Sequence, residues 1–67
     1  MAGGIRQEYL DRLIEVGIKH YMSGRKVANR VSAEAGLPNY ILHNAFRPQS
    51  TFWTLVERTA RERGLIK

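Results

Sequence analysis

A chain of 67 residues with 11 Lys and Arg against 6 Asp and Glu, and with no Cys, forms one small domain. It can bury only about 60% of the surface its unfolded form exposes, so its core must come from a few well-packed elements. The cysteine count excludes a disulfide framework or a thiolate metal centre, no run approaches the ~18 apolar residues of a membrane span, and Met1-Ala-Gly-Gly lacks the basic and apolar stretches of a leader, so a soluble intracellular protein is expected.

From residue 5 to 21, Tyr9, Leu10, Leu13, Ile14, Ile18 and Tyr21 form the stripe of an amphipathic helix. Its polar side offers Glu8 with Arg12 and Glu15 with Lys19 in the favourable i, i+4 order. Gly17 weakens the helix by about 1 kcal/mol relative to Ala and leaves room for a close contact. Ser23-Gly24 breaks the pattern, and Ser23 is the expected N-cap of a second helix over 25–35. There Val27 and Val31 lie one turn apart, while Ala28, Ser32 and Ala35 make a face of small side chains. Gly36 follows, where a helix stop with positive φ is expected.

A third helix is expected over 38–47, with Pro38 in its first turn, where a missing N–H costs nothing. Ile41, Leu42, Ala45 and Phe46 share its apolar side; Asn39, Tyr40, His43, Asn44 and Arg47 share the other. Pro48 closes it, and Gln49-Ser50-Thr51 makes a short loop in which Ser50 or Thr51 caps a fourth helix over 52–63. That helix turns Phe52, Leu55, Val56, Thr59 and Ala60 inward and Glu57, Arg58, Arg61 and Glu62 outward, with Trp53 lapping over the core edge and Gly64 ending it. With no repeat, low-complexity stretch or strand signal, the expected fold is an all-α, small four-helix domain.

The net charge of +5 is unevenly spread: −1 over residues 1–18, +4 over 19–47 and +2 over 48–67. The basic excess therefore lies on the second and third helices, as suits a polyanion partner such as nucleic acid. Two helices joined by a short Gly-containing turn form a helix-turn-helix, whose second member can enter the major groove. Tight packing needs a small Ser32, a turning Gly36, and Leu37, Leu42 and Ala45 sealed against Val31 and Ala35. On these residues the segment 28–47 resembles the phage-type helix-turn-helix regulators, the Cro and Ner proteins and the wider lambda-repressor-like group. The likeness extends loosely to the fourth helix, through Arg-Pro-Gln-Ser-Thr-Phe-Trp-Thr-Leu-Val. The chain departs from the family pattern at Pro38, where a polar capping residue is common.

The resemblance implies a sequence-specific regulator of transcription, a small phage or prophage repressor, at the nucleoid in the cytoplasm of a bacterial or phage-infected cell. It implies base contacts from Asn39, Tyr40, His43, Asn44 and Arg47: the amides suit adenine, Arg47 suits guanine or a phosphate, and Tyr40 and His43 can bond or pack on a thymine methyl. Ser23, Arg25 and Lys26 at the start of the second helix, and Gln49, Ser50 and Thr51 at the start of the fourth, are the expected phosphate contacts. Arg58, Arg61, Arg63 and Lys67 are read as solvated charges, interleaved as they are with Glu57 and Glu62.

A homodimer on DNA is expected, with Leu65, Ile66 and Val16 as candidate pairing surfaces. Tyr9 and Tyr21 are expected to pack with their hydroxyls at the rim of the core. No acid–base pair, activated nucleophile or Gly-rich phosphate loop points to catalysis, and His20 and His43 lack partners at ligand spacing; no cofactor, metal or small-molecule ligand is expected. The competing readings are a helical protein-interaction module, an adaptor or an inhibitor of a host enzyme, and a recombination or architectural DNA-binding factor.

Overall fold

Residues 5–66 are described by the computed structural model, and in chain order they form α1 (Gln7–Met22), α2 (Ala28–Ala35), α3 (Asn39–Ala45) and α4 (Ser50–Glu62). No strand occurs among the described residues. Lys67 and the Met1-Ala-Gly-Gly stretch lie outside them.

Helix α1 is the centre of the fold, packing on α4 along one side and on α2 along another, while α3 rests on α2. The core takes Leu13, Ile14 and Ile18 from α1, Ala28 and Val31 from α2, Leu42 from α3, and Phe52, Val56 and Ala60 from α4. These are the i, i+4 positions that the apolar stripes anticipate. Phe46 and Trp53 flank Phe52 edge-on, with ring centroids 5.2 and 5.0 Å away. The radius of gyration, 11.0 Å, is that of a fully packed chain of this length.

Gly17 sits at the crossing of α1 and α4: a Cβ there would lie 2.8 Å from Phe52 Cζ and 2.8 Å from Val56 Cγ2. The glycine that weakens α1 on its own thus lets α4 approach it. Gly36 has φ 74°; its N–H donates to Ala33 O at 3.1 Å and that of Leu37 to Ser32 O at 3.0 Å, the paired bonds of a Schellman stop. Ser32 is 1% exposed, as the small-residue requirement predicts, and its hydroxyl has no hydrogen-bond partner among the described residues.

Helix α2 begins at Ala28, not at 25, and its N-cap is Val27, which is 45% exposed while Val31 is fully buried. The cause lies upstream. Gly24 closes α1 with a Schellman stop of its own, its N–H donating to Tyr21 O and that of Arg25 to His20 O, so the chain cannot turn helical again until that bonding is complete. Ser23 is accordingly the C-cap of α1, with Oγ donating to His20 O at 2.9 Å. Pro38 is the N-cap of α3 rather than part of its first turn, and α3 ends at Ala45, short of Arg47. Gln49 takes the N-cap position of α4 without a side-chain cap bond, and Ser50 and Thr51 are already helical.

The two anticipated i, i+4 ion pairs of α1 do not form. Glu8 pairs with Arg6 at 3.3 Å, Glu15 with Arg63 at 2.5 Å and Lys19 with Glu34 at 2.6 Å; the last two join different helices. Glu34 also accepts from His20 Nε2 at 3.1 Å. An ionised carboxylate only accepts, so Nε2 carries the proton. Tyr21 donates to Glu57 Oε1 at 2.8 Å and ties α1 to α4, which leaves Glu57 half-buried rather than fully outward. Its phenol is held above the ordinary range, first by that bond and then by burial. No helix is long and apolar enough to cross a membrane among the described residues.

Candidate nucleic-acid interface

Helix α3 divides as its composition requires. Leu42 is fully buried and Ile41, Ala45 and Phe46 are half-buried, whereas Asn39, Tyr40, Asn44 and Arg47 are exposed, Tyr40 by 63%. His43 is half-buried because Gln49 covers it, the amide nitrogen lying 2.5 Å from Nδ1 and 3.1 Å from Nε2. One residue expected at a base and one expected at a phosphate thus occupy each other at the junction of α3 and α4.

The remaining polar groups of this face bond to one another at the surface. Asn39 Nδ2 donates to Asn29 Oδ1 on α2 at 2.8 Å, which leaves the Asn39 carbonyl oxygen and the Asn29 amide N–H groups turned to solvent as an acceptor and a donor. Arg47 lies beyond the last turn of α3; its Nη2 donates to Asn44 Oδ1 at 3.0 Å and its Nε makes a long contact of 3.4 Å with His43 O. Both arrangements fix amide and guanidinium planes at an exposed surface.

The expected phosphate contacts fare less evenly. Ser23, Arg25 and Lys26 do not stand at the start of α2: Ser23 ends α1, and the two cations occupy the exposed connection before Ala28. The backbone N–H of Arg25 is consumed by the stop at Gly24, so no anion can use it. Lys26 Nζ lies 5.5 Å over the Tyr21 ring, a cation–π contact. Ser50 and Thr51 are exposed in the first turn of α4, with the Thr51 hydroxyl donating to Pro48 O and the Ser50 carbonyl accepting from Thr54 at 3.0 Å.

Charge is sorted across the molecule. Between residues 22 and 56, Glu34 is the only carboxylate, against Arg25, Lys26, Arg30 and Arg47. Glu34 is occupied by Lys19 and His20 of α1, whose hydrogen bonds, that of Lys19 first, hold its carboxyl below the ordinary range. The other ion pairs use Arg6, Arg61 and Arg63. The cations of the α2–α3 region therefore keep their charge uncompensated by carboxylates among the described residues. Asn29 and Arg30, both exposed on α2, belong to this region, and the sequence alone assigns them no contact. The basic count covered Arg30, but only the fold brings Asn29 to Asn39.

No cluster of three or more His, Cys, Asp or Glu arranged to hold a metal ion occurs among the described residues. No protein-family model, curated protein or solved structure matches the chain.

Proposed function

We propose that this chain is a sequence-specific double-stranded DNA-binding regulator of transcription, a small repressor of the phage type, which lays α3 in the major groove. The observation that carries the reading is the exposed amide, phenol and guanidinium face of α3, in a chain whose Arg25, Lys26, Arg30 and Arg47 pair with no carboxylate among the described residues. Amide and guanidinium groups match the donor and acceptor edges of adenine and guanine. Phosphates supply the charge that Arg25, Lys26 and Arg30 lack. Asn39, Tyr40, Asn44 and Arg47 are the base-reading set. His43 with Gln49 steadies the junction beneath it, and Ser50 offers its hydroxyl to the backbone, that of Thr51 being spent on Pro48 O.

Salt dependence separates this reading from an apolar protein-interaction module. Log affinity for duplex DNA should fall linearly with log salt by about −0.9 per phosphate neutralised, hence about −2.7 for a domain that engages phosphates through Arg25, Lys26 and Arg30. Fluorescence anisotropy with a labelled duplex measures that slope. A flat response, or no binding in dilute buffer, would remove DNA from consideration.

A further inference from the structure

We infer that His43 and Gln49 couple DNA binding to the uptake of a proton: the imidazole takes the proton, the Gln49 amide turns over, and Gln49 then donates to a phosphate. The inference rests on the DNA reading and adds its regulation. The Gln49 amide nitrogen lies 2.5 Å from Nδ1 of His43 and 3.1 Å from Nε2. An imidazolium has a proton on both nitrogens and accepts nothing, so whichever nitrogen accepts this bond, the ring is neutral. Gln49 Oε1 makes no hydrogen bond among the described residues. The one buried side-chain polar atom without a partner there is Ser32 Oγ, so Gln49 Oε1 reaches solvent. In this state the junction of α3 and α4 turns an acceptor outward, which a phosphate oxygen avoids.

Protonation inverts the arrangement. Both ring nitrogens become donors, and a half-turn of the Gln49 amide about Cγ–Cδ brings Oε1 to them as the acceptor. No hydrogen bond is lost. The turned amide sends its N–H groups to the surface next to the exposed Ser50, where the DNA reading sets a phosphate. The surrounding charges identify what favours the step. Arg47, on the same segment, contacts the His43 carbonyl through Nε at 3.4 Å, and Tyr40 is exposed. Helix α2, on which α3 rests, contributes Arg30 and Glu34, the latter taken by Lys19 and His20 of α1. Helix α4 has no acidic residue in its first turn; its charged residues begin further along with Glu57, which Tyr21 and Arg61 take, and Arg58. A phosphate at this junction is therefore the anion that favours the charged ring.

Duplex affinity of the full chain at about pH 8 and about pH 5.5, on either side of the ordinary imidazole range, tests the coupling by fluorescence anisotropy at constant salt. The wild type is expected to bind about five- to tenfold more tightly at the lower pH, the gain from one more charge set against a phosphate in about 0.1 M salt. His43→Gln should flatten that response, and His20→Gln should leave it, since His20 bonds Glu34 instead. In the free chain, the nuclear magnetic resonances of the Gln49 side-chain amide should move with the same midpoint as those of the His43 ring. Circular dichroism at both pH values checks that each protein is folded; His43→Asn replaces His43→Gln if the latter is not. Equal DNA binding by the wild type at both pH values overturns the coupling and leaves the DNA reading standing. So does a full response in the folded His43 variant, a response that disappears with His20→Gln, or a Gln49 amide that ignores the His43 titration. Absence of binding at both pH values overturns the coupling and the DNA reading together.

Discussion

Arg47 and Asn44 bond each other at 3.0 Å on an exposed surface, so each fixes the other's plane, and the proposed DNA reading puts both at base edges. Asn44→Ala and Arg47→Ala are each expected to cost about 1–3 kcal/mol on the preferred DNA site and much less on unrelated duplexes. Because the two residues are bonded, the double variant should lose less than the sum of the singles. Competition binding with specific and random duplexes measures this, and an equal loss on every duplex would reduce both residues to backbone contacts. Glu34 makes a separate prediction. Its folded-state carboxyl is held low by Lys19 and then His20, so its contribution to stability is complete above the ordinary carboxylate range and disappears as pH falls through the lowered value. The melting temperatures of the wild type and Glu34→Gln should therefore differ at neutral pH and converge in acid. An equal gap at both pH values would show that the clasp from α1 to α2 is not electrostatic.

Helices α1 and α4 owe their closeness to Gly17. In an exposed helix Gly→Ala stabilises by about 1 kcal/mol, but here the added methyl would stand 2.8 Å from atoms of Phe52 and Val56. Both of those side chains are fully buried and have nowhere to move. Overpacking of this kind costs about 1–3 kcal/mol, enough to reverse the propensity gain. Gly17→Ala is thus expected to lower the urea midpoint, and a raised midpoint would mean that α4 stands off from α1.

The same element level explains what could be read in advance. The stripes of α1 and α4 were legible because long amphipathic helices repeat their signal over several turns, and Gly36 was legible because a positive φ has few other occupants. The start of α2 was not. Val27 and Val31 have helical spacing, yet the backbone bonds that close α1 at Gly24 reach as far as Arg25. A cap judged from residue type alone does not reveal which of two helices owns it, and Ser23 belongs to the earlier one. The ion pairs of α1 were misread for a related reason: Glu15 and Lys19 find Arg63 and Glu34 across the fold, and tertiary partners outcompete weak i, i+4 pairs. His43 with Gln49 and Asn29 with Asn39 likewise depend on how helices meet, which no local spacing encodes.

Taken as a whole molecule, the chain separates its charges. Carboxylates and their cationic partners tie α1 to α2 and to the end of α4, while Arg25, Lys26, Arg30 and Arg47 pair with no carboxylate among the described residues. The exposed polar face of α3 belongs to that stretch of the chain, whereas the groove between α1 and α2 is edged by carboxylates already paired with cations of the same chain and by Asp11 and Arg12. Selection of bound sequences from a random duplex library, followed by sequencing, examines the DNA surface with no assumption about the operator. The expected result is one enriched motif, its half-sites repeated about one helical turn apart (~34–36 Å) with two-fold symmetry, and lost when Asn44 and Arg47 are replaced by Ala. Recovery of sequences no different from the starting library, under salt low enough for the cations to act, would contradict a base-reading role for α3.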